Sequence, residues 1–408
     1  MAGARLSYDL VVLGDGALAR LAGCLVAKSG KRVLRLRRTE EPEPALPPFP
    51  PLDLTLLPAV RETALKLGIL VPLRDRLRPQ YSLGHFCSEQ GSAELFLERA
   101  ARDHQQQRLT HETFDHWCRI LAKPMEDPVP IEYPLMFHRG WWKRWRNRKG
   151  WTEVDLGSVD AQLDALSRPY FLHPWTGIDE TEANLRWSGQ RDLHALDRPL
   201  HSFIELAEAR SGVEVLPRDR AVDYDLNRGR LVSVITARGQ HIGGTMVLWA
   251  DPIDQFNILG EKAQAKIQNR WDKDGALHTE VKRIYGRLAA VDWPPFLSRA
   301  ILIANGNLQL SVESRGHEIH IETWLRANED LEAINLFFER HFPLLRRNPL
   351  TQSETLSFVR RAEPKRLPPK LDTGLGGVYL VPDRLIHGLG IDAPFAMAQQ
   401  LADRVIGP

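Results

Sequence analysis

Cysteine is scarce in this chain: three residues, Cys24, Cys87 and Cys118, in 408. Their wide, unpaired spacing excludes a disulfide framework and a cysteine-rich zinc site, and fits a reducing compartment. An excess of one charge is also missing. Lys and Arg number 54 against 52 Asp and Glu, for a net charge of +2, which gives no electrostatic footprint for a nucleic-acid partner. No apolar run reaches the roughly 20 residues that a membrane-spanning helix needs. The first apolar run, LVVLG, breaks at Gly14, too soon for a secretory signal. The expectation is a cytoplasmic protein. G-x-S-x-G, Walker and H-E-x-x-H patterns are absent, so hydrolase and kinase readings have no support. There is no internal repeat and no long low-complexity tract.

What is present begins at residues 8–38, YDLVVLGDGALARLAGCLVAKSGKRVLRLRR. A short apolar run over residues 10–13 reads as a strand buried on both faces. Gly14, Asp15, Gly16, Ala17, Leu18 and Ala19 then make a G-x-G-x-x-A turn. Leu18, Leu21, Ala22 and Leu25 follow at helical spacing, Ser29-Gly30 stops the helix, and residues 32–36 form a second strand. Gly14 permits the sharp turn, Gly16 lets backbone approach a pyrophosphate, and Ala19 lets helix and strand pack closely. The helix N-terminus presents N–H groups and the positive end of its dipole to phosphates. The second strand should end in an acid that accepts from the ribose hydroxyls. Arg37 stands there, followed by Arg38. An arginine cannot accept a hydrogen bond. It suits a 2′-phosphate, as in NADP, or it is a solvated charge, with Arg35, Arg37 and Arg38 forming a basic strand end.

Three further stretches give the chain a family likeness. Residues 212–250, GVEVLPRDRAVDYDLNRGRLVSVITARGQHIGGTMVLWA, read as strand, strand, an Asn-Arg-Gly turn, strand, turn, strand. They run into Ala250-Asp251-Pro252, with Phe256 and Leu259 beyond. LEAINLFFERHFPLL (331–345) reads as a helix ending at Phe342-Pro343. GGVYLVPDRLIHGLGIDAPFAMAQQLADRVI (376–406) reads as strand, glycine turn and closing helix. In this combination and order the chain resembles the phytoene desaturase and flavin amine oxidase-like proteins over about half its length. The resemblance implies an α/β fold, with a Rossmann-type FAD-binding domain interleaved with a β-sheet plus helical substrate domain. The FAD-binding domain would be built from residues 1–52, 185–260 and 345–408. The substrate domain, with a helical insert, would take residues 53–184 and 261–344. Candidate cofactor contacts in the N-terminal and central segments are Gly14, Gly16, Ala17, Ala19, Arg37, Arg38 and Val222. At the C-terminal end the resemblance assigns Asp383 to a ribityl hydroxyl and Gly388, Leu389 and Gly390 to the flavin ring.

Departures from the family pattern fall at the cofactor. Arg37 replaces the ribose acid. EEPEPALPPFPPLD (40–53) stands in place of a Gly-Gly-Arg-like turn and suits an extended surface connection. Pro382 precedes Asp383, fixing φ and removing a donor. Two readings follow. One is an FAD-dependent oxidoreductase that places a small, apolar or amine substrate against the flavin. Its acid–base residues are not indicated, His387 being the only candidate by location. The other is a non-catalytic relative that uses the same shape to bind a protein or lipid, as GDP-dissociation inhibitors do.

RGWWKRWRNRKGW (139–151) gathers Trp141, Trp142, Trp145 and Trp151 among six basic residues. Packed indoles under stacked arginines explain it most simply, and a peripheral membrane contact is the functional alternative. HEIHIETW (317–324) alternates strictly, which puts His320 with Glu318 and Glu322 on one strand face and reads as half of a hairpin with LQLSVE (308–313) rather than as a metal site. His111, Asp115 and His116 fall in a helix with Trp117 and Cys118 and carry no expected chemistry.

Overall fold

The computed structural model describes residues 6–37, 58–122, 193–196, 200–250, 276–293, 299–304, 308–315, 317–326, 331–343, 350–361, 376–381 and 393–407. In chain order the elements are β1 (Leu6–Leu13), α1 (Ala17–Lys28), β2 (Val33–Arg37), α2 (Pro58–Leu67), α3 (Leu70–Asp75), β3 (Leu77–Pro79), β4 (Ser82–Ser88), β5 (Gly91–Phe96), α4 (Arg99–Arg108) and α5 (Glu112–Leu121). Then come β6 (His194–Leu196), α6 (Leu200–Ser211), β7 (Glu214–Pro217), β8 (Ala221–Asn227), β9 (Arg230–Thr236) and β10 (His241–Trp249). The last group is β11 (Ala276–Ala289), β12 (Arg299–Ala304), β13 (Leu308–Arg315), β14 (Glu318–Arg326), α7 (Leu331–His341), β15 (Gln352–Arg361), β16 (Val378–Leu380) and α8 (Ala393–Ile406).

The first sheet runs β7-β2-β1-β10-β9-β8, with β16 also on β10. Its strands β7, β2, β1, β10 and β16 are mutually parallel, and β8 and β9 fold back antiparallel as a meander. The expected order of strands over residues 212–250 is therefore present. Leu10, Val11, Val12 and Leu13 are buried, because a parallel strand covered on both faces favours a continuous apolar run. Helix α1 packs on α8 and α6. Gly23 takes it close to the sheet: a Cβ there would lie 3.4 Å from Val12 Cγ2 and 3.5 Å from Val33 Cγ1. This contact, one turn beyond Ala19, is a helix–strand approach that the G-x-G-x-x-A pattern does not contain. Gly30, at φ +86°, ends the helix with its N–H donating to Ala27 O at 2.9 Å.

The second sheet runs β15-β11-β14-β13-β12-β4-β5. The hairpin expected around residue 316 is there, with Arg315 opposite Glu318. Ile319, Ile321 and Thr323 are buried. His320 lies on the other face, its Nε2 3.4 Å from Glu318 Oε2. Helix α7 covers this sheet with Ile334 and Phe338, and Phe342 stacks on Trp293 at 4.8 Å between ring centroids. A third cluster joins β4 and β5 to α5 around Phe86, Phe114 and Trp117. His111 is the residue capping α5 rather than a member of it, and its ring meets Phe86 edge-on at 4.9 Å. β3 and β6 make a separate two-stranded ribbon.

Candidate functional site

The carboxyl ends of the central parallel strands form one row. Gly14 N–H donates to Leu36 O at 3.1 Å, Ala250 N–H to Leu13 O at 2.8 Å, and Val381 N–H to Trp249 O at 2.8 Å. Chain exits from β1, β2, β10 and β16 therefore share an edge. The chain leaves β1 through α1 to β2 on one side, while β10 lies on the other. Such a switch point in strand order is where open α/β sheets bind ligands.

Gly14 has φ +104°, a conformation that costs other residues energy and glycine none. Gly16 caps α1 without a side chain, and Arg20 N–H donates to its carbonyl at 3.0 Å. No acid stands in the first turn of α1. Ala19 is fully buried. The turn residues Gly14, Gly16, Ala17 and Ala19 are thus brought together as the spacing predicts, at a helix N-terminus suited to an anion.

Beneath the turn lies a charge cluster that was not foreseen. Arg35 points into the interior from β2 with its side chain 4% exposed. This corrects its reading as part of a solvated basic strand end. An Nη1–H of Arg35 donates to Asp15 Oδ1, in the turn itself. Arg35 Nη2 donates to Glu208 Oε2 at 3.2 Å. Its Nε stands 2.9 Å from Glu208 Oε1, yet that N–H makes no hydrogen bond, so the contact is a charge contact with the bond misaligned. Glu208, on α6, is gripped from the other side by Arg20 of α1, through Nε at 3.1 Å and Nη2 at 2.7 Å. Two arginines and two carboxylates balance. Burial pushes the Asp15 carboxyl above its ordinary range despite Arg35, Arg20 and Arg37, and pushes the Arg35 guanidinium down. The available signal was Arg35 itself: a cation at the middle of a strand covered on both faces must find buried acids.

Arg37 ends β2 opposite Pro217 of β7. Its carbonyl accepts from Asp219 N–H at 3.1 Å. Asp219 is buried; its Oδ1 accepts from the N–H groups of Arg220 and Ala237, and its Oδ2 lies 3.8 Å from Arg238 Nε. Val222 follows at the start of β8, where the register with β9 shifts, and is 41% exposed. Arg38, Pro382, Asp383, His387, Gly388, Leu389 and Gly390 lie outside the described residues, as do Asp251, Pro252 and the tryptophans at 141, 142, 145 and 151. β16 brings the chain to Val381 at the shared edge.

Among the described residues, the cysteines are poor nucleophiles. Burial pushes the thiols of Cys24, Cys87 and Cys118 up to about 12, 11 and 12, which keeps them protonated. Among the described residues no three His, Cys, Asp or Glu side chains are grouped to hold a metal ion. No described helix is long and apolar enough to cross a membrane.

Sheet order, glycine turn and helix N-terminus define a mixed α/β fold with a Rossmann-type parallel sheet. No protein-family model matches the chain, and no curated protein matches it. Solved structures do. A Rab GDI from Plasmodium falciparum matches at 10% identity and TM-score 0.51, covering 98% of each chain. A glycine oxidase from Bacillus cereus matches at 13% identity and TM-score 0.48, over 98% of this chain and 94% of its own. A geranylgeranyl bacteriochlorophyll reductase-like protein from Thermoplasma acidophilum matches at 12% and 0.49, over 99% and 81%. At 10% identity the likeness to the Rab GDI speaks for the fold alone.

Proposed function

We propose that the chain binds FAD across the shared strand edge and works as an oxidoreductase on a small, apolar or amine substrate. The observation that carries this reading is the Gly14–Gly16 turn, with Gly14 at φ +104° and α1 opening behind it at the end of β1. The residues present fit the pyrophosphate of such a cofactor: two glycines without side chains frame the turn, no acid stands in the helix's first turn, and Asp15 is tied back by Arg35. Asp383, Gly388, Leu389 and Gly390 would meet the flavin end, as the family resemblance suggests. A bound flavin supplies the redox chemistry, accepting a hydride or electrons from the substrate. The chain would bind and orient both partners and keep water from between them. We assign residues around the first sheet to the cofactor and those around the second sheet to the substrate.

A second reading is favoured by one observation. Arg37 stands where a ribose acid belongs, and Asp219, whose N–H donates to the Arg37 carbonyl, is a buried acid already taken up by the N–H groups of Arg220 and Ala237. The reading is a chain that keeps the fold without the cofactor and binds a protein or lipid partner. The visible spectrum of the purified protein, before and after adding FAD, separates the two. Flavin absorption that persists through gel filtration supports the oxidoreductase. A colourless protein that takes up no FAD overturns it and favours the partner-binding reading.

A further inference from the structure

We propose that Arg35 is a positioning residue: it holds the Asp15 carboxylate against β2 and thereby keeps the Gly14–Gly16 turn open to the phosphates of a dinucleotide. The inference rests on the dinucleotide reading above and deepens it.

Asp15 is an awkward residue for a phosphate-binding turn. It lies between the two glycines, one residue before the cap of α1, and carries the same sign of charge as the ligand. Untethered, its carboxylate would be drawn to the positive end of α1, the place a pyrophosphate takes. Aspartate is among the residues best suited to bind backbone N–H groups at a helix start. The turn would then be filled by its own side chain.

Arg35 prevents this by geometry. Its guanidinium reaches Asp15 Oδ1 from below the turn, leaving the carboxylate 12% exposed. Glu208 holds the guanidinium from behind, and Arg20 of α1 holds Glu208 through two hydrogen bonds. The tether therefore runs from turn to β2, to α6, and back to the helix that the turn begins. The misaligned Nε of Arg35 fits this role, because the guanidinium is turned toward Asp15 at the expense of a straight bond to Glu208. Packing alone does not ask for such an arrangement. Val33, two residues earlier on the same strand face, is an ordinary apolar residue. Burying four charged groups sets desolvation against their mutual attraction, and burial opposes the charged forms of both Asp15 and Arg35.

The test uses the full chain as wild type, Arg35→Met, Asp15→Asn and the double variant. ADP serves as the pyrophosphate probe and FAD as the full ligand, titrated calorimetrically below the melting range. Circular dichroism checks the fold. Arg35→Met is expected to weaken ADP and FAD binding by about tenfold or more, as one uncompensated like charge beside the ligand does. Asp15→Asn is expected to bind no more weakly than wild type, and the double variant to return to within about threefold of it, since no charge is left to restrain. A merely structural ion pair would give the opposite for Asp15→Asn, with affinity falling alongside melting temperature. If Arg35→Met binds like wild type, or the double variant stays as weak as Arg35→Met, the inference is overturned while the dinucleotide reading stands. If Arg35→Met does not fold, Asp15→Asn and the double variant decide: similar affinities support the tether, and a loss confined to the double variant overturns it. A wild-type protein that binds neither ADP nor FAD overturns the dinucleotide reading and the tether with it.

Discussion

Glu208 shows how much a single side chain can hold in this protein. Its two oxygens receive three hydrogen bonds from Arg20 and Arg35, and all three side chains are nearly sealed from water. Removing the charge of one member of such a group leaves the others buried and uncompensated, which costs far more than the group contributes as a whole. Glu208→Gln keeps the shape and removes the charge. It is expected to destabilise the fold by about 3–5 kcal/mol, read as a lowered denaturant midpoint with an unchanged slope. The sequence displayed Arg20, Arg35 and Glu208 openly but gave no sign that they meet. Arg35 and Glu208 are far apart in the chain, and the packing of α6 on α1, beside β2, brings them together.

Strand β10 is the seam of the first sheet, pairing β1 over one side and β9 and β16 over the other. Its glycines are part of that fit. A Cβ on Gly244 would stand 2.8 Å from Val11 Cγ2 and 3.3 Å from Met246 O. Val11 is fully buried and β-branched, so its methyl has little room to move. Gly244→Ala is expected to cost about 1–3 kcal/mol by overpacking. Adding Val11→Ala should recover part of the loss in thermal melts, because it removes the methyl that the new Cβ strikes. Elements of this kind were legible beforehand. The meander over residues 212–250, the hairpin at 308–324 and helix α7 all appear near their expected positions, because alternation, turn residues and helical spacing are local signals. The two sheets to which these strands belong were not legible, since pairing partners lie outside any local window.

For the molecule as a whole, two partly buried histidines among the described residues are expected to contribute to the acid limb of stability. Burial holds the imidazoles of His85, on β4, and His341, at the end of α7, below the ordinary value of 6.5. In His85 the carboxylate of Glu94 opposes burial without overcoming it, and in His341 the charge of Arg340 adds to it. A base whose pKa is lower folded than unfolded favours the native state above its unfolded pKa. That contribution is lost as pH falls through the folded value. The melting temperature is therefore expected to drop between pH 7 and pH 5. His85→Gln, which cannot titrate, should flatten that drop; an unchanged slope would show that other groups govern the acid limb. His85 lies in the second sheet, so the measurement also reports on that layer apart from the Gly14–Gly16 turn.

By itself the sequence determined the β-turn-α-β unit at the N-terminus, the glycine conformation its turn demands, the buried strand behind it and the placing of Arg37 at the end of β2. Each depends on neighbours within a few residues, where steric and hydrogen-bonding rules leave few choices. Tertiary structure alone decided that β10 and β16 lie beside β1, that their carboxyl ends make one edge, and that Arg35 turns inward to Asp15 and Glu208. Those outcomes depend on which distant surfaces bury one another. A buried cation takes whatever acids the packing brings within reach, and no local pattern in the chain records which ones those will be.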